Sequence, residues 1–305
     1  MNLSALTLSP LFALAAALLW GGGDFSGGMG AKQAGGTMRA ALRVVLLSHA
    51  ASFTVLIITA RLRGDAFPHG IPLLCGLAAG VAGGISLTCF YVALSRGAMG
   101  ASAAVSGLLA AAIPAAVSIS LEGSPGQLKI IGFGVAGLAI WLIAAGPNPE
   151  SSPATSGTMG LAIAAGIGFG LYFVALKYAG VTGLIWPMAT ARMGSLTICS
   201  LILLATSLRP NRDPANPAAS TPDRRLILPG KAVLWSLSTA VLDTSGNILF
   251  IAATRAGRLD VAAVLASLYP ASTILLAAWT LHERPTRRQG LGMAVAAAAV
   301  VMITL

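Results

Sequence analysis

The stretch Ala253–Gly290, ATRAGRLDVAAVLASLYPASTILLAAWTLHERPTRRQG, decides the fold. Its apolar middle is bounded by Arg255 and Arg258 before and by Glu283, Arg284, Arg287 and Arg288 after. About 20 mainly apolar residues suffice to cross a bilayer as a helix, so the run 259–281 reads as one span. The same stretch also matches an earlier part of the chain. Moved back by 160 positions, Gly257 falls on Gly97, Leu268 on Leu108, Leu281 on Leu121, Pro285 on Pro125 and Gly292 on Gly132. Further upstream, a shift of 148–149 sets Gly170 on Gly22, Phe173 on Phe25 and Arg192 on Arg43. Register kept at Gly and Pro, where spans end, is the mark of an internal repeat.

Composition agrees with a chain that meets lipid. Of 305 residues, 56% are hydrophobic and 9% charged, and the mean hydropathy is +0.84. Soluble domains carry about 25% charged residues, enough to cover a wet surface. The net charge of +10 sits mostly at the ends of apolar runs, which suits lipid headgroups and not nucleic acid. Cys75, Cys89 and Cys199 all lie in apolar runs, with neither a disulfide framework nor zinc spacing. The opening MNLSALTLSP lacks the basic residues of a cleaved leader, so the first segment reads as retained.

Ten apolar segments follow, near 10–31, 38–60, 70–95, 101–121, 128–146, 158–178, 183–207, 231–253, 259–281 and 287–305. A Pro/Ser-rich linker, 149–157, divides the chain into halves 1–148 and 158–305 with five spans each. An odd number of spans makes the second half enter the membrane from the opposite side. The expected fold is therefore an all-α integral membrane protein of ten transmembrane helices, a 5+5 inverted repeat, with its site near the midplane between the halves.

The motifs resemble a known family. LDTSGNILFIAATRAGRLDVAAVLASLYP, with Ala253–Gly257, Leu268–Pro270 and Glu283 followed by Gln289-Gly290, is similar to the second EamA-type repeat of the drug/metabolite transporter superfamily. ALSRGAMGASAAVSGLLAAAIP followed by LEGSP is a weaker first copy; LLWGGGDF and ALRVV resemble the family's first-helix Trp-Gly and second-helix Arg motifs. One departure is Glu122-Gly-Ser-Pro, where the family usually follows Glu with a basic residue. The resemblance implies a ten-helix carrier of small metabolites or drugs, working by alternating access, with both ends cytoplasmic in a bacterial inner membrane. The loop Lys and Arg residues favour the reverse orientation, so the side is open, while an even span count puts both termini together.

Ionisable groups inside spans cost about 2.5–3.5 kcal/mol each on insertion scales and so carry the functional question. Four stand out: Asp24, Arg43, Arg192 and Asp243. Asp24 lies one turn after Trp20 on one helix face. It either binds a cationic group or a coupling proton, or pairs with Arg43. Asp243 and Asn247 share a stripe with Phe250, which suits a solute or simple helix–helix hydrogen bonding. Arg43 and Arg192, repeat mates, either snorkel or pair, or bind an anion. Trp20, Tyr91, Tyr172 and Tyr269 are candidate cavity walls, and Trp141, Trp186, Trp235 and Trp279 candidate interface belts. Pro114 and Pro270 each permit a kink inside a span, and Gly23/Gly27, Gly76/Gly80/Gly84 and Gly166/Gly170 are small-xxx-small packing stripes.

Several chemistries have no signal. No GxxxxGK[ST] is present, which argues against ATP-driven pumping, and no HExxH or nucleophile constellation points to an enzyme. His49 stands alone in an apolar span, and no metal or cofactor is expected. The reading is a secondary transporter of a small organic solute, with protons as the candidate coupling ion and Asp24, Asp243, Asn247, Trp20, Tyr91, Tyr269, Arg43 and Arg192 as its site. Its partners are that solute and the lipid bilayer, and it acts as a monomer or homodimer. The competing reading is a non-transporting scaffold, sensor or lipid-modifying enzyme of the same fold.

Overall fold

A computed structural model of the chain describes residues 3–95, 99–144, 156–208, 228–280 and 286–305. The linker 149–155, Gly97, most of the 209–231 connector with its Asp213 and Asp223, and Leu281–Pro285 with His282 and Glu283 lie outside the described residues.

Every described element is helical: α1 (Leu3–Gln33), α2 (Met38–Arg63), α3 (Ile71–Ser95), α4 (Met99–Glu122), α5 (Gln127–Ala144), α6 (Ser156–Ala179), α7 (Ile185–Leu208), α8 (Gly230–Ala256), α9 (Leu259–Ala266), α10 (Tyr269–Thr280) and α11 (Arg287–Thr304), plus a 3₁₀ turn at Gly180–Thr182. Among the described residues seven helices, α1 to α4 and α6 to α8, are long and apolar enough to cross a membrane. The α5, α9–α10 and α11 rods occupy the three other predicted segments.

Local signals explain many of the ends. Thr37 caps α2 by accepting from the Ala40 amide at 3.1 Å, and Gly64 closes it at φ 68°, which a side chain would strain. Thr286 and Gln289 form a capping box at the start of α11. The two span prolines behave differently. α4 continues through Pro114, whereas the ninth segment breaks into α9 and α10 at Ser267–Leu268, just before Pro270. There Leu268 donates to Leu265 and Ala271 to Leu268, a tightened turn where proline has no N–H to offer. α1 starts before its predicted boundary and carries Pro10 inside it. It also runs unbroken through Gly21-Gly22-Gly23, because neighbouring helices fill the space where side chains would be. A Cβ on Gly21 would lie 1.9 Å from Ser272 Oγ, and one on Gly23 3.3 Å from the Asp243 amide nitrogen.

Packing sets polarity from inside to outside. Leu18, Val55, Leu74, Leu121, Leu171, Leu204, Leu234 and Trp279 are exposed, while His49, Arg192, Asn247, Asp260 and many Ser and Thr are buried. Such an arrangement suits lipid outside and polar contacts inside. α1 shows the inner glue. Its carbonyls at Ala17, Gly21 and Gly23 accept from Ser272, Thr273 and Thr239 of α10 and α8.

The main helix contacts are α1 on α8, α3 on α6 and on α7, α1 on α9 and α10, α4 on α6, α2 on α7 and α5 on α11. One end of the molecule is laced across the two chain halves. Lys177 pairs with Glu122. Arg258 donates to the Gly123 carbonyl at 2.6 Å while also holding Asp260. Lys129 reaches the Ile303 carbonyl at 2.9 Å, and Trp186 Nε1 that of Asp65 at 2.8 Å. At the other end Arg39 bonds the Thr206 carbonyl, and Arg288 lies 4.1 Å over the Trp141 ring.

Candidate functional site

The site is built around α7, and glycine on α3 lets α7 in. Gly76, Gly80 and Gly84 face Thr190, the Ala191 carbonyl and Ser195; Cβ atoms there would come within 2.0, 1.9 and 2.6 Å. Only bare backbone allows this approach, and it carries Arg192 and Ser195 to the middle of the bundle.

Arg192 is 3% exposed. Its guanidinium forms an ion pair with Asp243 of α8. It also donates to Thr244 Oγ1 at 2.9 Å and lies 2.7 Å from His49 Nε2 of α2. A guanidinium has no acceptor, so His49 Nε2 accepts. The imidazole proton therefore sits on Nδ1, which lies 2.6 Å from Ser195 Oγ. In this arrangement His49 is neutral, held between a donor and a hydroxyl. Arg192 Nε is a buried donor with no partner among the described residues.

Asn247, one turn beyond Asp243, donates back to the Asp243 carbonyl at 2.7 Å and accepts from the Tyr172 hydroxyl of α6 at 2.7 Å. Trp20 stacks on Phe173 with centroids 5.0 Å apart and planes 7° from parallel, and Phe250 packs at 5.5 Å from Trp20. Phe250 is fully enclosed there.

These groups surround a cavity of about 50 Å³, lined from both halves. That volume holds a few waters. Trp20, Asp24, His49, Gly80, Gly83 and Leu87 come from the first half, and Phe169, Tyr172, Phe173, Arg192, Asp243, Asn247 and Tyr269 from the second. The predicted residues Trp20, Asp24, Arg192, Asp243, Asn247 and Tyr269 are thus brought together. Arg43 and Tyr91 do not line the cavity. Tyr91 is buried with its hydroxyl against Gly27, where a Cβ would lie 2.2 Å away. Arg43 is half-buried.

Asp24 differs from the other charged groups. It has neither an ion pair nor a hydrogen bond among the described residues, although it lies near enough to Asp243 to be repelled by it. Arg192, which the sequence allowed to snorkel or to pair, is buried and paired. Its repeat mate Arg43 does not line the cavity, so repeat position alone does not place the side chain.

A second hollow of about 660 Å³ opens at the laced end, lined by Arg63, Asp65, Phe67, His69, Trp186 and Arg255 among others. Trp186 lies six residues before Arg192, about 9 Å along α7 at 1.5 Å per residue. It was predicted as an interface belt, but it is 7% exposed and packs edge-on against Phe67 with centroids 4.9 Å apart. Among the described residues no cluster of His, Cys, Asp and Glu could hold a metal.

His49 is the main residue that the sequence did not flag. A lone histidine in an apolar run has no local pattern; its partners Arg192 and Ser195 are 143 and 146 residues away.

Comparison with known proteins adds three findings. The model of the EamA-like transporter family matches residues 157–305. A solved structure, described as "Crystal structure of protein", is similar over 97% of this chain and 98% of that chain, with a TM-score of 0.72 at 16% identity. At that identity the likeness speaks for the fold alone. No curated protein matches the chain.

Proposed function

Because the chain belongs to the EamA-like transporter family and is a multi-pass membrane protein, we propose that it is a secondary active transporter of a small organic solute, working by alternating access. Residues 1–148 and 158–305 act as two five-span halves in inverted repeat, in a bacterial inner membrane. The helix contacts favour this symmetry, because exchanging the halves maps α1 on α8 to α6 on α3, and α1 on α9–α10 to α6 on α4. The contacts α2 on α7 and α5 on α11 map onto themselves.

One observation carries the reading. Between the halves lies a cavity in which Asp243 is already neutralised by Arg192, while Asp24 has no ion-pair or hydrogen-bond partner among the described residues. A carboxylate held that way in a membrane is poised to exchange a proton or a cation during a cycle. The groups facing it from neighbouring elements are Asp243 on α8, Arg192 on α7, His49 on α2, Tyr172 on α6, Tyr91 on α3 and Tyr269 on α10. The hollow by Trp186 supplies an outer vestibule.

The test is uptake of a metabolite panel into proteoliposomes under an imposed pH gradient. Saturable flux that follows the gradient is expected, and Asp24→Asn removes the gradient dependence. A purified, folded protein that gives no saturable flux of any solute refutes the proposal.

A further inference from the structure

Among the described residues, the charges that line the central cavity do not cancel. Asp24 and Asp243 are two carboxylates, and Arg192 is one fixed cation. His49 adds no charge, because its Nε2 accepts from a guanidinium. The Arg192 guanidinium is engaged by Asp243 and Thr244 through one terminal nitrogen, while its Nε has no partner among the described residues. One negative charge is therefore left over, at Asp24, on the cavity wall.

The rest of the wall suits the charge that is missing. Trp20, Phe169, Tyr172, Phe173 and Tyr269 all border the cavity. Aromatic faces attract cations, most strongly where water is excluded. A small alkylammonium is apolar enough to leave water for such a wall, and Asp24 supplies the counter-charge. A neutral solute would leave Asp24 unbalanced. An anion would add a charge of the wrong sign unless it broke the Arg192–Asp243 pair and left two carboxylates exposed.

Resting on the transporter reading above, we infer that the central site takes a compact monovalent organic ammonium, bound by Asp24 and the aromatic wall while Arg192 stays on Asp243. The volume of about 50 Å³ limits the cation to a small one.

The probes are methylammonium and its uncharged isostere methanol, with formate as the anion. Binding to the full-length protein in detergent is read by quenching of tryptophan fluorescence and by thermal shift. Methylammonium is expected to bind roughly tenfold or more tightly than methanol, with no response to formate. Asp24→Asn should abolish the preference, and Asp24→Glu should restore part of it. Equal binding of methylammonium and methanol by the wild type overturns the inference, whether or not the variants fold. Retained methylammonium preference in a folded Asp24→Asn protein also overturns it. The two readings fail differently in proteoliposomes. Saturable flux of neutral or anionic solutes without any of ammonium compounds sinks the cation site and leaves the carrier. Methylammonium binding that needs Asp24 but comes with no flux upholds the site and sinks transport.

Discussion

Arg192 shows how much one side chain organises here. It joins α7 to α8 through Asp243 and Thr244, and to α2 through His49. Removing one partner of a buried pair costs more than removing both, because the survivor is left charged and dry. Arg192→Met should therefore destabilise the folded protein by about 3–5 kcal/mol. Adding Asp243→Asn should recover a large part of that loss. Thermal unfolding of both variants in detergent checks it; if the double variant is the less stable, the pair is not the source of the cost. His49→Leu strands a guanidinium N–H and should cost about 1–3 kcal/mol, whereas His49→Gln keeps an acceptor and should cost less. At this scale the sequence was partly legible. Asp24, Arg192 and Asp243 announced themselves as charges in apolar runs, and Asn247 by its spacing of four from Asp243. The partnership among them was not legible. Arg43 offered the same residue in the same repeat position as Arg192, and only tertiary packing sends one to the cavity and the other elsewhere.

Among the elements, glycine placement decides which helices touch. Gly80 presses on the Ala191 carbonyl, whereas Gly28 has nothing within 4 Å of its would-be Cβ. Gly80→Ala should push α7 off α3, lower the melting temperature and disturb the cavity. Gly28→Ala should be neutral or slightly stabilising, since alanine favours helix. Equal melting temperatures for the two variants contradict the packing argument. The small-xxx-small pattern was visible in the sequence, and so were nearly all the helices, because apolar length is a local property. Three features resisted local reading. Three glycines and Asp24 did not weaken α1, because α8 and α10 pack into the bare backbone and hydrogen-bond its carbonyls. Two prolines of equal promise gave one continuous helix and one break. Trp186, with the composition of a belt residue, turned inward against Phe67, since the α2–α3 connection folds over it and gives its indole N–H a carbonyl.

For the whole molecule, the ties at one end matter most. Lys177–Glu122, Arg258 to Gly123, Lys129 to Ile303 and Trp186 to Asp65 all join one chain half to the other. A carrier that alternates must release such ties to open on that side. Glu122→Gln removes one of them at a partly exposed position without stranding a buried charge. In a cysteine-free background with Ala110→Cys, a reporter on the cavity wall, this change should speed alkylation by a water-soluble maleimide added on that face. An unchanged rate would mean that the tie does not restrain opening. Asp260 is the wrong place for this test, because it is fully buried and depends on Arg258.

The same lacing gives the protein a sensitivity to ionic strength with a sidedness. Lys177 and Glu122 keep 23% and 30% of their side chains accessible, so dissolved ions reach them. The screening length falls from about 10 Å at 0.1 M salt to about 3 Å at 1 M. Salt in the compartment bathing that end should therefore lower the population closed there and raise the population open there. Salt in the opposite compartment acts on different contacts, with the indole–guanidinium stack of Trp141 and Arg288 among them. A vesicle carrying this protein in one orientation should then respond unequally to equal salt steps on its two sides, and the more responsive side identifies which face of the membrane Lys177 and Glu122 occupy.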